Sequence, residues 1–153
     1  MKNNSVWRYA LWSGQQNAFE QYFSSVFLLA VRVFVAWQFL KSGLVKIEDW
    51  PQTVELFSSE YQVPVLSPIV AAWMGTVGEL LFSFLLIVGL FGRWAALGLL
   101  TVNAMAVISY PQLFEFECPA AINDHKYWAI LLMAVVVFGA GKLSLDALLY
   151  RRK

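Results

Sequence analysis

The stretch FLLAVRVFVAWQFLKSG, Phe27–Gly43, is apolar enough to cross a bilayer, yet it carries a permanent charge, Arg32, well inside it. Whether this stretch is a membrane span decides the fold, and the rest of the chain answers. Of 153 residues, 59% are hydrophobic and 14% charged, against roughly 45–50% and about 25% in soluble domains. Aromatic content is 16% with seven Trp, and Trp and Tyr favour membrane–water interfaces. The net charge of +1 gives no broad basic field, so nucleic acid is not an expected partner. Cys118 is the single cysteine, which excludes an internal disulfide or a Cys-x-x-Cys redox pair. The composition describes an integral membrane protein whose first partner is the lipid bilayer.

A span needs about 20 apolar residues to cross roughly 30 Å of hydrocarbon. Four candidates meet or approach that length: residues 25–43, 68–90, 94–110 and 127–141. Ser67 and Pro68 suit a helix start, FGR at 91–93 makes a tight turn, and Pro111 closes the third span. The fourth is short unless it borrows from the loop before it. The expected fold is all-α, an antiparallel four-helix membrane bundle occupying residues 24–149. Residues 1–23 form an N-terminal segment rich in aromatics that suits the cytoplasmic membrane surface, and 150–153 a basic cytoplasmic tail. The first apolar run begins more than twenty residues in and lacks an A-x-A-like exit, so it reads as retained rather than as a cleaved signal.

Lys2, Arg8, Arg93, Lys142 and Arg151–Lys153 fall at the termini and the FGR turn, whereas the other two loops are acidic. The positive-inside rule then puts both termini in the cytoplasm and the acidic loops outside, in the periplasm if the host is a Gram-negative bacterium. Within the first outward loop, Asp49 with Gln52 and Pro51 reads as a helix start, and Val54, Phe57 and Tyr61 share a face. A short amphipathic helix between spans one and two is expected there, outward-facing.

Arg32 calls for a compensating charge, because Arg at a helix centre costs about 2.5–3.5 kcal/mol on insertion scales. Counted from Gly43 and Pro68, Arg32 and Glu79 both lie roughly 16 Å deep, and Asn103 lies roughly 15 Å above Arg93. The expectation is a midplane polar site in which Glu79, helped by Asn103, holds Arg32, either as a packing pin or as a ligand floor. Lys41 and Lys46 are candidate contacts at the outer end.

The segments FLKSGLVKIEDW, VPVLSP, GELLFSFLLIVGLFGRWAALGL and GAGKLSLDALL resemble, in order and spacing, the DoxX family of small four-span bacterial membrane proteins. The resemblance covers about residues 26–149. It implies the bundle, and it singles out Arg32, Gly43, Lys46, Glu79, Arg93, Gly141, Ser144 and Asp146. It also implies association with quinone-linked or thiol and oxidative-stress assemblies, with some members beside metal-handling peptides.

Other chemistries are narrow. His125 is the single histidine, so a bis-histidine haem is excluded, and no phosphate loop, serine elbow or iron–sulfur ligand set is present. Glu117, Cys118 and His125 would furnish a metal site in the second outer loop, but their spacing matches no strong pattern. With no self-contained catalytic constellation, two classes remain. One is a non-catalytic accessory of a membrane redox assembly, with a partner subunit or a second copy of itself and a quinone or lipid as ligand. The other is a small proton- or cation-coupled transporter, or a metal-handling accessory.

Overall fold

A computed structural model describes residues 18–115 and 120–150, and no β-strand occurs among them. Four long helices form the bundle: α1, Ala18–Glu48; α3, Pro68–Val88; α4, Gly92–Ser109; and α5, Ala120–Phe138. A short helix α2, Trp50–Ser59, follows α1, and α6, Leu145–Tyr150, ends the described chain. Each long helix packs on its neighbour in sequence, and α1 also meets α5, so the four close into an up-down ring. All four are long and apolar enough to cross a membrane.

The helix starts and stops follow local chemistry. Asp49 caps α2, its carboxylate accepting from the Gln52 N–H at 3.0 Å, with Pro51 in the first turn as its sequence requires. Ser67 has the extended backbone of a cap, but its hydroxyl makes no cap bond, and Pro68 starts α3 without it. Gly89 ends α3 in the left-handed region at φ 71°, and the Leu90 N–H reaches back to the Leu85 carbonyl at 3.0 Å. The fourth span does borrow from the preceding loop, beginning at Ala120 rather than near Tyr127. Residues 1–17 of the N-terminal segment and 151–153 of the basic tail lie outside the described residues; Ala18–Phe23 are already helical, and Tyr150 ends α6.

The core is Val35, Ala36, Phe39, Leu86, Ala95, Ala96, Leu99, Leu132 and Val135, closed by the Phe39–Trp128 ring contact. Phe34, Trp37, Phe84, Ile108, Ile130 and Val137 point outward and are exposed. Helices apolar on both faces suit acyl chains outside as well as a core inside. Gly43 lets α1 approach α3 closely: a Cβ there would lie 2.8 Å from Leu80 Cγ and 3.2 Å from Glu79 Cβ.

Candidate functional site

The structure separates the three polar residues expected to meet. Arg32 does not touch Glu79. Its Nη1 donates to the Ala140 carbonyl at 2.6 Å and its Nη2 to the Leu143 carbonyl, in the segment that follows α5. The physical reason is that the α2-side ends of α1 and α3 are not level. Counting depth from Gly43 ends α1 five residues early, whereas the helix runs on to Glu48. Gly43 lies level with Glu79, its Cβ position 3.2 Å from Glu79 Cβ, so Arg32, eleven residues earlier on α1, falls roughly 16 Å from Glu79 along the bundle.

Arg32 is instead the centre of a clamp at the end of the bundle remote from α2. The carbonyls it binds follow the C-terminus of α5, where a cation is favoured. Beside it, the Phe91 and Gly92 N–H groups both donate to the Asp146 carboxylate at 2.9 Å, an anion at the N-terminus of α4. The Asp146 N–H returns to the Gly89 carbonyl at 3.0 Å, and Ser144 Oγ donates to the Gly141 carbonyl at 2.6 Å. A Cβ on Gly89 would sit 2.6 Å from Arg32 Nη1. The GLFGR turn and the GAGKLSLD segment are thus two halves of one joint, and Arg32 ties α1 into it.

Asn103 also has another partner. Its Oδ1 lies 2.8 Å from His125 Nδ1, and its Nδ2 donates to the His125 carbonyl at 3.1 Å, which joins α4 to α5. His125 stacks edge-on against Trp128. Of the proposed metal set, Glu117 and Cys118 lie outside the described residues, and among the described residues no group of three His, Cys, Asp or Glu is assembled. Lys41 is exposed on α1.

Glu79 meets Lys46. Lys46 Nζ lies 2.7 Å from each carboxylate oxygen and 2.8 Å from Ser42 Oγ, which itself donates to Glu79 Oε1 at 3.3 Å. The Lys46 and Glu79 side chains are only 14% and 10% exposed. Ser42 and Lys46 are four apart on α1, one turn, so a single helix face presents both to Glu79.

This pair forms part of the wall of a cavity of about 340 Å³ near the α2 end of the bundle. The volume falls at the lower end of the roughly 300–1,000 Å³ typical of ligand sites. The lining is mostly apolar: Gly75, Gly78 and Phe82 from α3, and Gly98, Val102 and Met105 from α4. Phe57 of α2 and Tyr61 lie over it, with rings stacked at 4.6 Å, and Tyr61 stacks in turn on Tyr110 at 5.1 Å. Tyr110 donates to Glu60 Oε2 at 3.0 Å. Burial pushes the Tyr61 phenol up to about 12, with Glu79, Tyr110 and Glu60 adding to the effect. Such an arrangement can hold a lipophilic molecule and offer it a few hydrogen bonds, but it assembles no nucleophile–base pair.

The fold and this site define a small four-span membrane protein with an apolar internal cavity bordered by one ion pair. The DoxX family model matches residues 27–112, more than half of the chain. An uncharacterized protein of Haemophilus influenzae is 34% identical over 131 residues, covering 82% of this chain and 85% of that protein. The chain belongs to the DoxX family. No solved structure matches it.

Proposed function

We propose that this DoxX protein is a non-catalytic membrane subunit that holds a lipophilic ligand, a quinone or a lipid, for a redox assembly in the bacterial inner membrane. The observation that carries the reading is the cavity with Lys46 and Glu79 in its wall. The polar site of this proposal is Lys46–Glu79 with Ser42; Arg32 and Asn103 serve packing. Residues 24–149 form the membrane domain, with short segments on either side. Both termini lie in the cytoplasm. In support, Arg93 and Lys142 sit at the clamp end, and Glu48, Asp49, Glu55 and Glu60 sit at the α2 end. A redox partner or a second copy of the chain would dock through surfaces of this domain.

The transporter reading is weaker, because Lys46 engages both Glu79 oxygens and leaves neither free for a carried cation. The test is purification in mild detergent followed by mass spectrometry of bound quinone, lipid and protein. A stoichiometric lipophilic molecule lost in Gly75→Leu, which fills the cavity, is the expected result. Empty protein that moves protons or cations across liposomes overturns it.

A further inference from the structure

The cavity is roofed at the α2 end and reaches the outer surface at its rim. Phe57 and Tyr61 roof it, and Phe57 is buried against Ala71 and Ala72. The Gln62 N–H donates to the Ser109 carbonyl at 2.7 Å, which fastens this roof to the end of α4. Three lining side chains instead are exposed: Leu66, 38%, just before α3, Met74 of α3, 59%, and Thr101 of α4. Met74 lies roughly 9 Å along the helix from Pro68, and Thr101 roughly 12 Å from Ser109. Both positions are within apolar spans, so the opening faces acyl chains rather than water.

The polar groups inside set the chemistry of what can enter. Lys46 and Glu79 sum to zero charge and satisfy each other. A head group with net charge would have to break that pair or lie uncompensated beside it, which is costly in an apolar wall. An uncharged head group meets neither obstacle. Ser109 Oγ also lines the cavity; the residue is 1% exposed, and the hydroxyl has no hydrogen-bond partner among the described residues. A buried hydroxyl without a partner is uncommon, and one bordering a cavity is a place for a ligand oxygen. The volume equals roughly eleven water-sized units, room for a polar end and a short length of chain, not for a whole two-chain lipid.

We propose that the cavity takes the uncharged polar end of a bilayer lipid, which enters sideways between Met74 and Thr101 and meets the Ser109 hydroxyl with a hydroxyl or carbonyl oxygen. The remaining chain stays in the membrane, trailing through the opening. This rests on the lipophilic-ligand reading above and adds the route and the charge class.

The test uses the full chain in lipid nanodiscs and three photo-crosslinking probes of equal chain length, ending in an alcohol, a carboxylate and a trimethylammonium. The alcohol is expected to label peptides carrying Met74, Thr101 or Met105 at least ~10-fold more than either charged probe, the scale of one or two hydrogen bonds. Thr101→Trp should block that labelling, and Ser109→Ala should lower it several-fold. Gly75→Leu provides a second blocking variant, since a Cβ there meets Phe57 at an ordinary 3.5 Å. Competition on the unmodified protein by unlabelled alcohol gives the same answer without any variant. Preference for a charged probe, or labelling unchanged in both blocking variants, overturns the inference while leaving a lipophilic ligand intact. No labelling by any probe, together with nothing bound on purification, overturns the underlying reading as well.

Discussion

Replacing Lys46 and Glu79 singly and together measures the interaction on which the site depends. At 2.7 Å and an effective dielectric of about 20, the Coulomb attraction is about 6 kcal/mol before desolvation. Desolvation offsets much of it, and removing one member of a buried pair typically costs about 3–5 kcal/mol, because the other charge is stranded. Lys46→Leu and Glu79→Leu should each lose about that much. The double variant should lose no more than either single one, which makes the coupling energy at least about 3 kcal/mol. The assay is reversible unfolding in mixed micelles, followed by tryptophan fluorescence across the four proteins. Arg32→Leu provides the control. Its guanidinium lies near Gly89, ten residues and roughly 15 Å along α3 from Glu79, so the Arg32 and Glu79 losses should add within about 0.5 kcal/mol. Additive losses for Lys46 and Glu79, or strong coupling between Arg32 and Glu79, would refute the assignment of partners.

Arg32→Met should cost about 3 kcal/mol or more in the same assay, since two carbonyls lose a charged donor, and Arg32→Lys should recover little because one ammonium cannot span both. Gly89→Ala should destabilise by at least about 1 kcal/mol from the left-handed backbone alone, and more because the added Cβ meets Arg32 and Ser144. Tyr61, with its folded pKa raised from 10.0 to about 12, contributes stability that is complete below pH 10 and is lost as pH rises toward 12. Melting temperatures between pH 9 and 12 should therefore fall less steeply in Tyr61→Phe. Gly98→Ala should cost about 1–3 kcal/mol, because its Cβ would press 2.6 Å from the Phe82 ring, and Phe82→Leu in the same chain should relieve part of that loss.

The four spans and α2 were legible because each announces itself locally, by an apolar run of sufficient length or by the Asp49, Pro51 and Gln52 start signal. What failed was register. Gly43 looks like the end of the first span, but LVKIE after it continues the helix to Glu48, and Gly43 lies level with Glu79, roughly 16 Å below Pro68 rather than beside it. That shift put Arg32 opposite the wrong partner. Lys46 reads from the sequence as an outer contact, and the family resemblance singles it out, but neither pairs it with Glu79, although its one-turn spacing from Ser42 holds a usable signal. Arg32's true partners are backbone carbonyls, which carry no sequence signature at all. The cavity was equally silent, since its walls come from α1 to α4 with no shared period. Cys118 and Glu117 lie outside the described residues.

The Arg32 clamp joins residues 108 and 111 positions apart, and this separation matters during synthesis. Translation at about 5–20 residues per second leaves Arg32 waiting about 5–20 s before its acceptors exist. Through that interval the first helix carries a charge with no partner, the feature that makes a nascent membrane segment slow to commit and visible to quality control. Once made, the segment after α5 gives that charge its two carbonyl partners. Chains stopped before Ala140 should be cleared in cells much faster than chains stopped after Tyr150, and Arg32→Leu should narrow that gap. Equal lifetimes for the two truncations in pulse-chase labelling would remove this role from the clamp.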